Sequence, residues 1–184
     1  MLDPRDPRPS FAIRDLTPAD RAALVDLDTS FETDRVYDVI TTGHRLELVE
    51  RALPARVVKR YPIEDVFADW ATWDIGFVAV DADDRVRAFA GLEYEPWHAR
   101  LVLWHLYVTP ELRGQGIARH LLAHIEAHGR RLGASRVWLE TTNINVPGIA
   151  AYARLGYTLC GVDTTYYDST PESAESAVYL SKPL

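Results

Sequence analysis

The sequence predicts an α+β protein with an α/β three-layer arrangement, in which helices cover both faces of a central sheet. A series of strand-like segments comes first, and the order β–α–β–α–β follows, which is typical of such a sheet. The length of 184 residues suits one domain. We therefore expect a loose, proline-rich tail over residues 1–10 and a single domain over 11–184.

Capping residues and prolines predict where the first elements begin and end. A strand over 11–16 is followed by a helix that begins at Thr17-Pro18-Ala19-Asp20, with a hydroxyl cap and a proline in the first turn, and runs to about Thr29. Residues 30–42 lack a clean period, so we expect them to be mostly irregular or briefly helical. Further on we predict two strands and a helix, over 46–49, 55–60 and 62–70.

In the rest of the chain the predicted helices and strands are easier to tell apart. A helix over 116–132 places its apolar residues on one stripe, and Gly133 ends it. That stripe consists of Ile117, Leu121, Leu122, Ile125 and Leu132. A second helix over 147–155 ends at Gly156. The predicted strands are 75–80, 86–95, 101–108, 137–141, 157–161 and 177–181.

Composition excludes several classes of function. A net charge of −7 argues against nucleic acid or an anionic membrane as the main partner and is compatible with a cationic substrate. One cysteine, Cys160, excludes an intrachain disulfide and a cysteine-rich metal site, and its flanks predict a small buried side chain. The single cysteine suits a reducing compartment, so we expect a cytoplasmic protein. No apolar run is long enough to span a bilayer. Whether two copies form a homodimer stays open.

Three histidines recur every fourth residue in the long helix. They are His120, His124 and His128, on the side opposite Leu121 and Ile125. Such spacing can bind a metal, but no neighbouring carboxylate completes a site, so we predict a solvated face and no metal.

The stretch Arg113-Gly114-Gln115-Gly116-Ile117-Ala118 joins a strand to a helix. Two glycines let the backbone curl with its N–H groups inward, and the helix adds unpaired N–H groups and the positive end of its dipole. This geometry predicts a site for a diphosphate. Arg119 occupies the place of the third glycine of a dinucleotide-binding turn, and the Gly-Lys-Ser/Thr of a P-loop is absent, so neither usual diphosphate ligand fits.

A second informative stretch runs from Asn145 to Tyr157. Asn145 and Tyr152 are seven residues apart, so both lie on one side of a helix. A tyrosine there can be a packing residue or a proton donor, and this stretch alone leaves both alternatives open.

Together the two stretches resemble the GNAT superfamily of acetyl-CoA-dependent N-acetyltransferases. Arg113, Gly116 and Ala118 fit its cofactor signature, and Asn145, Gly148 and Tyr152 with Leu155-Gly156-Tyr157 fit its later signature, with glycine where alanine is usual. The resemblance implies a mixed, mostly antiparallel sheet with a splay between the fourth and fifth main strands, at 106–108 and 137–141.

The resemblance also implies a mechanism with acetyl-CoA as cofactor, in which the amine attacks the thioester directly. Main-chain N–H groups of residues 113–118 bind the pyrophosphate, while Leu106, Tyr107 and Val108 carry the pantetheine and a backbone N–H near Leu106 stabilises the oxyanion. Tyr152 donates a proton to the departing thiolate, and Asn145 positions the pantetheine or the helix start. The cofactor-binding residues are therefore Leu106, Tyr107, Val108, Arg113, Gly114, Gln115, Gly116, Ile117, Ala118, Arg119, Asn145 and Tyr152.

Three further segments, residues 30–34, 138–145 and 158–168, are similar to the streptothricin (nourseothricin) acetyltransferases, which acetylate an amine of a cationic antibiotic. That subfamily carries Glu-Asp where this chain has Trp104 and His105. Alternation places those two side chains on opposite faces, so at most one faces the acceptor. His105 is one candidate base beside Tyr152, and the acidic candidates are Glu93, Glu95 and Glu140, of which Glu93 is favoured. Deprotonation through water is an alternative. The candidate acceptor-binding residues are Asp34, Trp97, Trp104, Glu140 and Asp163, with Asp168 as a further acidic position.

Three functions follow as alternatives. A small-molecule amine acetyltransferase is favoured, a protein or peptide amine acetyltransferase is the second, and a non-catalytic acyl-CoA-binding sensor is the third. An intact Tyr152 argues against the sensor.

Overall fold

The structure is a computed structural model that describes residues 11–184, so the predicted tail at 1–10 lies outside the described residues. Within that range the chain forms nine strands and three α-helices. In chain order they are β1 (Ala12–Asp15), α1 (Arg21–Val25), β2 (Ser30–Thr42), β3 (Arg45–Arg60), β4 (Ile75–Val80), β5 (Val86–Glu95), β6 (Arg100–Val108), α2 (Ile117–Leu132), β7 (Arg136–Thr142), α3 (Val146–Arg154), β8 (Thr158–Asp163) and β9 (Ala177–Pro183).

The first of two compact units comprises residues up to Thr29, 61–93 and 104–128. In it β4 pairs antiparallel with both β1 and β5. Its core contains the fully buried side chains of Leu24, Val78 and Phe89, since apolar residues of α1 and of the strands alternate inward. The predicted helix start holds, but a 3-10 turn over Pro18–Asp20 comes first and α1 is short.

The second unit comprises residues 30–60, 94–103 and 129–184. Its strands are ordered β6-β7-β9-β8, with β6 parallel to β7 and the other neighbours antiparallel. The parallel pairs run from Arg100↔Arg136 to Leu103↔Leu139. The sheet is therefore mixed and mostly antiparallel, as predicted, and the paired register of β6 and β7 ends where the predicted splay begins.

Residues 30–42 contradict the sequence-based expectation. They form β2, which pairs antiparallel with β3 in a separate two-stranded sheet. Three side chains in the first half of β2 are buried, but the rest of β2 and nearly all of β3 are exposed or only partly buried. The apolar alternation that marks a half-buried strand is therefore weak, and cross-strand ion pairs such as Arg35–Glu50 and Arg51–Asp38 take its place. The two predicted strands at 46–49 and 55–60 are one strand, because Pro54 lies in a register shift and removes no ladder hydrogen bond.

Three predictions about single side chains were also wrong. Cys160 is exposed, because it lies at a bulge between Leu159 and Gly161 that interrupts the alternation of β8. Leu132, at the last position of α2, is 38% exposed. His124 and His128 are partly buried against the edge of Phe77, with ring centroids 4.7 and 5.2 Å apart, so two of the three histidines pack instead of facing solvent.

Every helix within residues 11–184 is too short or too polar to cross a bilayer.

Candidate active site

The glycine turn between β6 and α2 has the backbone that the sequence predicts. Gly114 and Gly116 have φ values of +77° and +90°, a region that favours glycine. A Cβ atom on Gly114 would meet nothing within 4 Å. The backbone conformation, and not a lack of space, is therefore what requires glycine at Gly114.

Side chains of the turn are tied back to the chain that precedes it. Arg113 donates from Nε to the carbonyl of Val108 at 3.0 Å, and Gln115 donates from Nε2 to the carbonyl of Glu111 at 2.9 Å. The amides of Gly114, Gln115 and Gly116 donate no hydrogen bond within residues 11–184. The turn thus offers main-chain donors at the N-terminus of a 16-residue helix, a good fit for a pyrophosphate.

Trp104 and His105 lie on opposite faces of β6, as alternation predicts. The Trp104 indole is partly exposed and donates from Nε1 to Oε2 of Glu93 at 3.0 Å. The same carboxylate oxygen accepts a hydrogen bond from the hydroxyl of Thr72. Glu93 therefore has a fixed orientation and stays partly open to solvent, which a proton acceptor requires.

His105 is buried, with 7% of the residue exposed, among the rings of Trp73, Phe89 and Tyr107. Its Nδ1 lies 3.3 Å from the Tyr107 hydroxyl, and its Nε2 has no hydrogen-bond partner among the described residues. Burial lowers the pKa of His105 to about 4, because desolvation disfavours the imidazolium. His105 is therefore a weak base without access to solvent, and the structure argues against the predicted catalytic role.

Asn145 caps α3. Its Oδ1 accepts from the amide of Gly148 at 3.0 Å, and its Nδ2 donates to the Thr141 hydroxyl at 2.9 Å. A Cβ atom at Gly148 would lie 2.5 Å from Nδ2 of Asn145, which explains glycine where alanine is usual. The resemblance implies two roles for Asn145, and the structure shows the one at the start of α3.

Tyr152 lies in the last half of α3, partly buried, with its ring centroid 5.5 Å from that of Tyr157. The carbonyl of Tyr152 accepts from the amides of Leu155 and Tyr157, which closes the helix. The end of α3 is therefore well ordered by hydrogen bonds, and it holds the phenol in a defined position.

Glu140 lies on β7 and accepts a hydrogen bond from the Tyr167 hydroxyl at 2.5 Å. Burial raises the pKa of Glu140 to about 7, and the Tyr167 hydrogen bond and the charge of Lys59 partly offset that rise. Sequence reasoning missed Tyr167, Tyr179 and Lys59 as neighbours of Glu140, since no fixed spacing connects these positions.

The remaining predicted residues show more ordinary surroundings. Trp97 is 84% exposed and stacks on His98 at 3.7 Å, and Asp34 is exposed beside Arg35. Asp163 accepts from the amide and hydroxyl of Thr165, and these bonds lower its pKa, so it stabilises a turn. Within residues 11–184 no group of histidine, cysteine and carboxylate side chains could hold a metal ion.

Residues 45–157 match the Acetyltransferase (GNAT) family. The chain belongs to this family. A streptothricin acetyltransferase from Streptomyces lavendulae is 37% identical over 181 residues, which cover 95% of each chain. The family membership confirms the GNAT fold, the N-acetyltransferase activity and acetyl-CoA as the cofactor.

Solved structures support the same assignment. The crystal structure of a nourseothricin acetyltransferase has a TM-score of 0.85 to this protein at 37% identity, covering 94% of this chain and 98% of that one. A Bacillus anthracis protein in complex with acetyl coenzyme A has a TM-score of 0.80 at 21% identity, covering 95% of this chain and 100% of that one. The second of these supports the fold.

Proposed function

We propose that this protein acetylates a primary amine of a cationic small molecule of the streptothricin type. The observation that supports this proposal is the 37% identity to a streptothricin acetyltransferase along 95% of both chains, since a match of that length extends well beyond the cofactor motif. The net charge of −7 suits a cationic acceptor.

Donor binding is assigned to the glycine turn. The main-chain amides of residues 113–118 bind the pyrophosphate of coenzyme A, and Arg113 and Arg119 add positive charge. Leu106, Tyr107 and Val108 hold the pantetheine through their backbone groups. When bound, acetyl-CoA supplies an activated acyl group as a thioester.

Proton transfers are assigned to two residues. Glu93, oriented by Trp104 and Thr72, accepts a proton from the acceptor ammonium directly or through water. Tyr152 donates its phenolic proton to the departing sulfur. The backbone N–H of Leu106 stabilises the oxyanion that forms during attack.

Part of the acceptor site is assigned to two tryptophans, Trp104, which occupies the first position of the subfamily's Glu-Asp pair, and Trp97. The Trp104 ring, partly exposed and 6.3 Å from that of Trp70, offers an aromatic face to a cation. Trp97, which is almost fully exposed, is the second such face.

The test is product analysis by mass spectrometry. The purified enzyme with acetyl-CoA is given streptothricin, a polyamine series and a set of peptides. A gain of one acetyl group on streptothricin at low enzyme concentration supports the proposal. Acetylation confined to peptides favours the protein-acceptor alternative, and coenzyme A binding without any product favours a sensor.

A further inference from the structure

The ribbon formed by β2 and β3 has one closed edge and one open edge. The edge of β2 is closed at Tyr37, whose amide donates to the carbonyl of Asn143 at 3.1 Å and whose carbonyl accepts from Nδ2 of Asn143 at 2.8 Å. From residue 45 to residue 53, the main chain of β3 has no hydrogen-bond partner outside the ribbon among residues 11–184. Alternate amides and carbonyls of β3 therefore point away from β2 and can bind another strand.

The open edge is accessible to a partner. Leu46 is 49% exposed and Val49 is 42% exposed, while Leu48 and Leu53 are half-buried. A two-stranded ribbon is only marginally stable in water, and additional strands stabilise it. The exposed half of the ribbon would therefore gain stability if a further strand paired with β3.

Two features limit the segment of β3 that can pair. The turn at Gly43 and His44 ends it on one side, and Pro54, which has no amide hydrogen, ends it on the other. The segment between them is 45–53, and its central residue is Val49. Two antiparallel copies of this segment overlap completely only when Val49 lies opposite Val49 of the second copy.

Charges in the segment 45–53 favour the same register. Glu47 and Arg51 lie two residues on either side of Val49, so pairing centred on Val49 places each Glu47 opposite Arg51 of the second copy. A shift of the centre by one residue toward the turn places Arg45 opposite Arg51, and a shift toward Pro54 places Glu50 opposite Glu50. Like charges directly opposite each other are destabilising, so only the central register suits both signs of charge.

The two charged side chains have unused hydrogen-bonding capacity. Arg51 donates from Nε and Nη2 to the carboxylate of Asp38, and its Nη1 has no acceptor within the part of the chain that the structure describes. Glu47 is exposed and has no ion pair among the same residues. Because a guanidinium group has five N–H donors, Arg51 can keep Asp38 and also bind Glu47 of a second copy.

We propose that two copies of this protein associate through β3, antiparallel, with Val49 on the two-fold axis. The two ribbons then form one continuous four-stranded sheet in the order β2-β3-β3-β2. Main-chain hydrogen bonds along 45–53 provide affinity, and the two contacts between Glu47 and Arg51 fix the register. Such an isologous contact closes as a dimer and leaves the segment 45–53 without an open edge. The inference goes beyond the proposed function and does not depend on the acceptor.

The first experiment is sedimentation velocity of the full chain over about a hundredfold range of concentration. We expect a species of two chains of 20.8 kDa each, which dissociates on dilution. Arg51→Glu and Glu47→Lys each place like charges opposite each other at two symmetric positions. Each variant alone should therefore raise the dissociation constant of the dimer by about tenfold or more.

A mixture of Arg51→Glu and Glu47→Lys restores opposite charges at both contacts. The mixture should associate as tightly as the wild type, which a variant that fails to fold cannot do. Arg56→Glu is the matched control, since it makes the same change on the same strand beyond Pro54 and also loses a cross-strand ion pair, to Glu32 at 3.0 Å. It should associate like the wild type.

The second experiment tests the register by cross-linking in a Cys160→Ser background, which removes the natural thiol. Val49→Cys places two thiols opposite each other on the axis, within the Cα separation of about 7 Å that a disulfide requires. Glu47→Cys is the control, because its two copies lie about 13 Å apart along the paired strands. We expect mild oxidation to link Val49→Cys into a covalent dimer and to leave Glu47→Cys unlinked.

Three outcomes overturn the proposal. The first is a wild-type chain that stays monomeric over the whole concentration range, which leaves β3 open to a strand of a different protein. The second is a dimer that Arg51→Glu and Glu47→Lys leave unchanged, which places the interface elsewhere. The third is equal cross-linking of Val49→Cys and Glu47→Cys, which excludes the central register. None of these outcomes bears on whether streptothricin is acetylated, so the proposed function is tested separately.

Discussion

The glycine turn and the Glu140 group, which consists of Glu140 with Lys59, Tyr167 and Tyr179, are built on different principles. The turn consists of consecutive residues, 113–118, and works through main-chain amides whose position depends on two glycines with positive φ. The Glu140 group works through side chains from positions as far apart as Lys59 and Tyr179. A binding site for a group shared by a whole family can be local and made of backbone, whereas the surroundings of a buried carboxylate are side chains that only folding brings together.

The largest expected effect comes from a substitution at Tyr152 that should change turnover without changing donor binding. Tyr152→Phe removes one oxygen atom and leaves the turn at 113–118 unchanged. We expect turnover to fall by about 100-fold or more, because a positioned general acid contributes that much, while the Kd for coenzyme A stays at its wild-type value. Steady-state kinetics and isothermal titration calorimetry measure the two quantities.

Tyr157→Phe is the matched control, because its ring lies edge-on to that of Tyr152 at 5.5 Å. It should leave turnover near the wild-type rate. Equal turnover in wild type and Tyr152→Phe would remove Tyr152 from the mechanism.

We expect the buried carboxylate of Glu140 to lower the free energy of unfolding near neutral pH and above, a cost that the glycine turn does not have. The folded-state pKa of Glu140, about 7, lies above its value of about 4.3 in an unfolded chain, so the folded protein binds this proton more tightly. The contribution of Glu140 to the free energy of unfolding is therefore complete below about pH 4 and is lost as pH rises to about 7.

Glu140→Gln should accordingly be more stable than the wild type at pH 8, by up to about 3 kcal/mol, and nearly equal to it near pH 4. Urea denaturation at both pH values measures the difference, with Glu64→Gln, at an exposed glutamate, as control for the change in net charge. A difference that is the same at both pH values would show that the carboxyl group of Glu140 titrates normally.

The smallest expected effect tests the turn itself. Gly114→Ala places a side chain in a left-handed conformation that costs about 1–2 kcal/mol, and relief of that strain moves the amides away from the pyrophosphate. We expect the Kd for coenzyme A to rise by about tenfold, measured by calorimetry.

Gly43→Ala is a well-matched control, since Gly43 also has a positive φ, of +60°, and open space for a Cβ atom. It should cost similar stability and leave the Kd unchanged. If Gly114→Ala and Gly43→Ala bind coenzyme A equally well, donor binding does not depend on the conformation of the turn.

Sequence reasoning succeeded where local chemistry decides the structure. Gly114 and Gly116 require left-handed backbone, Gly133 and Gly156 end their helices with positive φ, and Asn145 caps α3, all as the residue types predict. It failed for 30–42, because the strand β2 depends on its partner β3 instead of on an apolar face of its own. It failed for Cys160 because β8 is the outermost strand of its sheet and its first three residues, interrupted by a bulge at Cys160, are all exposed.

In the candidate site, too, the sequence predicted one part and the tertiary structure decided the rest. The sequence indicated that Trp104 and His105 point to opposite faces, but burial among Trp73, Phe89 and Tyr107 decided that His105 is a neutral, enclosed side chain. Glu93 is proposed as the proton acceptor because the structure places Trp104 and Thr72 against its carboxylate, which no spacing in the sequence indicated.

By itself the sequence determined the donor half of this protein: a glycine turn, a capped helix and an acyl-carrier ligand, because backbone conformation and helix ends depend on neighbouring residues. The tertiary structure alone decided the electrostatics of His105 and Glu140. Whether a histidine is charged, and whether a carboxylate such as Glu140 has a counter-ion, depends on burial and on side chains distant in sequence, since desolvation and Coulomb energies act through space.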